Sequence, residues 1–176
     1  NTENLRSFHN KNELDELLNA IQEEKQVLKS DIPIAVKISP DMDEINIEQI
    51  AELLVKYKVA VVIISNTTDK NRENLKNINK LEKGGLSGKP LEIKSNILIN
   101  RFFKNLKNQI KIIGVGGVDS GRSVYEKIIN GANVVQLYTG MVYKGPNIAN
   151  IISEELVEII NRLSVKNVSQ LIGTKK

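Results

Sequence analysis

No cysteine occurs anywhere in the 176 residues. That absence removes disulfides, thiolate nucleophiles and cysteine-based zinc sites together. Histidine is almost missing as well. The one copy, His9, sits in a polar turn, Ser7-Phe8-His9-Asn10-Lys11-Asn12, so a histidine-ligated metal or a Ser-His-Asp triad has almost no material, and no metal site is expected. Aromatic residues make up only 4% of the chain, which leaves little to stack bases on. Charge of one sign is not gathered either: the net +4 comes from lysines scattered through linkers and helix faces. A nucleic-acid footprint would need them clustered on one face, so no nucleic-acid partner is expected. No apolar run approaches the ~18 residues of a membrane span. The opening residues, Asn1-Thr2-Glu3-Asn4-Leu5-Arg6, have neither an initiating Met nor an apolar signal core. They read as a cut through a longer chain.

What is present suits a soluble globular domain: 40% hydrophobic and 26% charged residues. From Asn12 to Lys29 a helix is written by Leu14, Leu17, Leu18 and Ile21, one apolar face at helical spacing. Asn12 is its candidate N-cap. Strands are expected over 33–38, 59–64, 111–115 and 133–137, and helices over 43–58, 91–107, 120–130 and 148–163. A short amphipathic tail runs over 168–172. One leading helix and four βα units imply an α/β fold in which helices cover a parallel sheet whose strands are buried on both faces. A doubly wound open sheet and half of a (β/α)8 barrel both satisfy this pattern.

Unusual residues collect just after the strands. These are Lys37-Ile38-Ser39-Pro40, Ser65-Asn66-Thr67-Thr68, Gly114-Val115-Gly116-Gly117 with Ser120, and Tyr138-Thr139-Gly140. In parallel α/β proteins the carboxy ends of the strands form the rim where ligands bind. Gly116-Gly117 beside a helix start offers backbone amides for a phosphate, or simply a tight turn. Lys37 lies inside an apolar strand, as a buried cation facing a ligand that becomes negative, or as a snorkelling edge lysine. The Asn66 amide matches the edge of a cyclic imide, or closes an Asx-turn. Gly84-Gly85-Leu86-Ser87-Gly88-Lys89-Pro90 is a second glycine-rich turn, either a close approach to a cofactor or the hinge of the polar loop before it.

Taken in order, Asn1-Thr2-x-x-Leu5-Arg6, Val36-Lys37-Ile38-Ser39-Pro40-Asp41, Ser65-Asn66-Thr67-Thr68, Gly84-Gly85-Leu86-Ser87-Gly88-Lys89-Pro90-Leu91, Ile112-Ile113-Gly114-Val115-Gly116-Gly117-Val118 and Gln136-Leu137-Tyr138-Thr139 resemble the class 2, quinone-linked dihydroorotate dehydrogenases across essentially the whole chain. The resemblance implies the carboxy-terminal half of one FMN-binding (β/α)8 TIM barrel domain over residues 1–176, with 69–83 a variable polar loop. It implies oxidation of dihydroorotate to orotate in pyrimidine synthesis, with FMN as cofactor and a ubiquinone-type acceptor. Asn1, Asn66 and Thr67 would bind the pyrimidine. Lys37, Ser65, Gly88, Gly117, Tyr138 and Thr139 would bind the flavin. The catalytic Ser of the family would lie two residues before Asn1, so an amino-terminal half must supply it, together with the quinone tunnel. Membrane association is implied, at the mitochondrial inner membrane in a eukaryote. Neighbouring readings are a class 1 or dihydropyrimidine-type FMN barrel and, in another class, a non-catalytic phosphate-binding barrel half.

Overall fold

Val, Ile and Ala dominate four short runs, and each becomes a strand: β1 (Ala35–Ile38), β2 (Val61–Ile64), β3 (Lys111–Val115) and β4 (Val134–Gln136). A computed structural model describes residues 10–70 and 72–175. All neighbouring strands are parallel, in the spatial order β1-β2-β3-β4. Each strand therefore lies beside its predecessor in sequence. A doubly wound sheet reverses its order at a switch point, whereas a barrel steps steadily round. The observed order is that of half a barrel.

The helices are α1 (Lys11–Val27), α2 (Glu44–Lys56), α3 (Glu92–Leu106), α4 (Gly121–Ile129), α5 (Thr139–Lys144) and α6 (Ile148–Arg162). Apolar stripes on α1 to α3, including Leu18, Ile50, Leu54 and Phe102, close over Ile38, Val62, Ile64 and Ile112 of the sheet. A second cluster joins Val118, Val124, Ile128, Ile148 and Ile152 to the carboxy-terminal tail. That tail is a 3-10 turn, Val168–Leu171. The cap of α1 is Asn10, whose side chain accepts the Asn12 N–H at 3.1 Å. Asn12 itself lies inside the first turn, a correction of two residues.

Register fixes which strand residues share a face. Lys37, Ile63, Ile113 and Val134 lie in one row across the sheet, on the side opposite Ile38, Ile64 and Gly114. The expectation of strands buried on both faces is therefore corrected. The helix side is the covered one, with Ile38, Val62, Ile64 and Ile112 buried, and Ala35, Lys37, Val134 and Gln136 are exposed on the other. Half the staves of a barrel leave its interior face open, and β1 and β4 each have an unpaired outer edge among the described residues. Among the described residues no helix is long and apolar enough to cross a membrane.

Candidate active site

Parallel pairing carries the ends of all four strands to one rim, and backbone hydrogen bonds lock their loops together. The Asn66 N–H donates to the Ile38 carbonyl at 2.8 Å, and the Ser65 N–H to the Val115 carbonyl at 3.2 Å. The Ile64–Ser65 peptide is cis. Across this rim lies a cavity of about 910 Å³ lined by Lys37, Ser65, Asn66, Thr67, Gly88, Gly116, Gly117, Tyr138 and Thr139. Every candidate site residue within the described stretch thus borders the same space. Asn1, assigned to the substrate by resemblance, lies outside the described residues, as does His9.

Several side chains stand differently from expectation. Lys37 is exposed on the open face of the sheet, so the charge is not buried here. The reason is that no element among the described residues covers this face, and β1 is an edge strand. The Asn66 side-chain oxygen accepts the Thr67 N–H at 2.9 Å, the local turn that such an Asn commonly makes. Thr67 stands hard against Gly85: a Cβ there would fall 1.8 Å from the Thr67 hydroxyl oxygen. Glycine at 85 is thus what lets the two loops touch. Gly88, at φ +78°, lies 3.0 Å by its absent Cβ from the Thr139 methyl. The Thr139 hydroxyl donates to the Ser87 hydroxyl at 2.9 Å, which joins the third loop to the last. Tyr138 is 75% exposed; its ring reaches outward while its backbone starts α5.

The phosphate reading of Gly116-Gly117 rests on their own amides, because the neighbouring start of α4 is capped from within the protein. Ser120 and Ser123 form a capping box, and the Gly121 N–H donates to the Glu155 carboxylate at 2.5 Å. The N–H groups of Gly116 and Gly117 and of Thr139 and Gly140 are among those that meet no acceptor within the described residues. Both pairs border the cavity. An anion here would meet two sets of backbone donors from the last two strand ends, a cradle of the kind that holds phosphate.

Residues with no assigned role from sequence brace this rim. Asp41, after β1, accepts the Thr68 hydroxyl at 2.7 Å and forms an ion pair with Lys94 of α3. That clasp fixes the turn carrying Asn66 and Thr67. Asp41 appears in a quoted motif, but nothing in its spacing points to Lys94, 53 positions away. The long polar stretch is likewise ordered. Its ends are pinned by an antiparallel bridge between Thr68 and Leu86, and the Arg72 guanidinium donates to the carbonyls of Lys80, Glu82 and Gly84. Arginine spends its planar fork on loop carbonyls, and the loop roofs one side of the cavity. Lys89 pairs with Glu92 at 2.6 Å and with Asp119 at 3.2 Å, and Glu92 chiefly holds its pKa above the ordinary lysine value.

The family model for dihydroorotate dehydrogenase matches residues 1–160. A quinone-type dihydroorotate dehydrogenase from Christiangramia forsetii is 41% identical over 158 residues, which cover 90% of this chain and 46% of that protein. Its counterpart from Herminiimonas arsenicoxydans is 45% identical over 151 residues, 83% of this chain and 43% of the relative. The crystal structure of Eimeria tenella DHODH in complex with ferulenol superposes with a TM-score of 0.93 at 31% identity, over 99% of this chain and 51% of that one. The chain spans about half the length of the relatives it matches.

Proposed function

The chain belongs to the dihydroorotate dehydrogenase family, and from that premise we propose that it is the carboxy-terminal half of an FMN barrel that oxidises dihydroorotate to orotate and reduces a quinone. The observation that carries this reading is the convergence of Lys37, Ser65-Asn66-Thr67, Gly88, Gly116-Gly117 and Tyr138-Thr139 on one cavity. The flavin fits the residues present. Unengaged amides at Gly116-Gly117 and Thr139-Gly140 suit its phosphate, and the glycine at 88 leaves room where a side chain would press on Thr139. When bound, FMN supplies the hydride acceptor and the route for electrons to the quinone.

Each residue then has a task. Gly117, Tyr138 and Thr139 hold the phosphate, while Ser65 and Gly88 line the flavin. Lys37 would place a fixed cation beside the cofactor, suited to a group that takes up electrons. The barrel's other half would cover the open face on which Lys37 stands and give that charge a drier setting. Asn66 keeps its amide N–H donors for the pyrimidine, since its oxygen is used by the Thr67 N–H; Thr67 and Asn1 complete the substrate contacts. The catalytic Ser base and the quinone tunnel come from an amino-terminal half, making residues 1–176 part of one barrel domain. Residues 69–83 form a cover. A lipid-soluble acceptor implies membrane association, at the mitochondrial inner membrane in a eukaryotic cell.

The protein carrying both halves is expected to purify yellow. Under argon, dihydroorotate should bleach its flavin band, and a soluble ubiquinone analogue should restore it. Lys37→Ala should slow the bleaching by about 10²-fold, the size of effect seen when a preorganised charge-stabilising donor is removed. A colourless protein, or a flavin that dihydroorotate leaves oxidised, would overturn the proposal.

A further inference from the structure

Lys127, in the last turns of α4, has no solvent exposure at all. A lysine amine in such a place is costly unless its N–H groups are matched. Its partners are neutral: it donates to the Ser95 hydroxyl at 3.1 Å and to the Asn96 side-chain oxygen at 3.0 Å, both on α3. Glu92 and Lys89 act on it only from a distance and with opposite signs, and burial pushes its pKa down to about 7. A neutral amine has two N–H donors, and two acceptors are what it meets. The strand beneath makes room for it. Gly114, in the middle of the β3 end, would bring a Cβ to 3.1 Å from the Lys127 Cδ. The chain thus gives up a core side chain in β3 and encloses an amine there.

The Ser95 hydroxyl, so held, donates to the Val115 carbonyl at 2.5 Å, and lies 3.5 Å from the Ile64 carbonyl. Val115 also accepts the Ser65 N–H. Its next residue, Gly116, has no side chain, and a Cβ there would stand 3.3 Å from that of Ser95. One carbonyl therefore joins the loop that starts at Ser65 to the glycine loop that starts at Gly116. Ser95 supports that carbonyl from the helix side, and Lys127 supports Ser95.

We propose that Lys127 is a positioning residue of the cofactor site: its enclosed amine orients Ser95, and Ser95 sets the spacing between the pyrimidine-side loop after β2 and the phosphate-side loop after β3. This rests on the flavin reading above. Lys127 touches neither substrate nor cofactor, and all its partners lie in the layer between sheet and helices, so the arrangement does not depend on the barrel's other half.

The test uses the whole flavoprotein, stripped of FMN and titrated with FMN while flavin fluorescence quenching is followed. Lys127→Met keeps the stem against Gly114 and removes the donors; Ser95→Ala removes the relay. Each should raise the FMN dissociation constant about tenfold, and the double variant should be no worse than the weaker-binding single, as expected for groups acting through one path. A merely structural lysine would lower the melting temperature and leave the FMN constant unmoved. An unchanged FMN constant in folded Lys127→Met overturns the proposal, as do strictly additive losses in the double variant. If Lys127→Met does not fold, an unchanged constant in Ser95→Ala overturns it equally. Failure of the wild-type protein to bind FMN removes the underlying reading and this inference with it, and is told apart by that control.

Discussion

A lysine with no access to water releases its proton more readily in the folded chain than in the unfolded one, and that difference is a stability statement. Lys127 has a folded pKa pushed down to about 7 by burial, against an ordinary value of 10.5. Between those values the unfolded chain holds a proton that the folded chain does not, so raising the pH favours folding. Below about 7 both states are protonated and the contribution stops changing. The expected slope from this one group is at most about 1.4 kcal/mol per pH unit. Urea unfolding midpoints of the protein should therefore rise from pH 7 to pH 9 more steeply in the wild type than in Lys127→Met. Parallel pH profiles for the two would mean that Lys127 keeps its proton inside the fold. Sequence alone marks Lys37, in its apolar strand, as the lysine to ask about, whereas the enclosed amine is that of Lys127. A usable signal existed: Val124, Lys127, Ile128 and Gly131 follow the helical i, i+3, i+4, i+7 spacing, and Lys127 falls on the inward face of that set.

Elements were legible where a periodicity was long enough to read. The strands at Val61–Ile64 and Lys111–Val115 and the helix at Ile148–Arg162 lie within a few residues of the expected ranges. Helix α5, Thr139–Lys144, gave no signal, because six residues cannot display a helical stripe. The order inside the Asn66-to-Pro90 stretch was illegible for a different reason. It depends on one guanidinium reaching three backbone carbonyls, and carbonyls leave no mark on a sequence. Glycine loops, in contrast, were readable as places where the chain bends or approaches closely, though not which of the two applied. Gly117 has both properties: φ is +73°, and an added Cβ would lie 2.4 Å from the Glu92 Cβ and 2.8 Å from its Cα. Gly117→Ala should cost about 2–4 kcal/mol from left-handed strain plus overpacking, and should weaken FMN binding by moving the loop. A loss no larger than left-handed strain alone, about 1–2 kcal/mol, measured by urea unfolding, would show that the contact with the start of α3 carries no weight.

On the scale of the molecule, the sheet is finished on one side only. Its helix face is sealed by Ile38, Val62, Ile64 and Ile112 against α1 to α3. Its other face presents Val61, Ile63, Ile113 and Val134, with the last exposed. Both outer strands also offer unpaired backbone, and a parallel edge with β-branched residues is a template for joining another chain. Met141, Val142 and Tyr143 of α5, the helix that follows β4, are exposed as well. The candidate site shares this incompleteness. Lys37 stands on the uncovered face, and flavin bound to the cavity would be walled on one side only, with water free to compete for every donor. Expressed by themselves, residues 1–176 should therefore self-associate or aggregate and bind no flavin. Size-exclusion chromatography with light scattering, combined with flavin absorbance across the peak, measures both at once. A monomeric yellow species would mean that the open face and the two strand edges are stable in water, and that half of the barrel wall is enough to hold the cofactor.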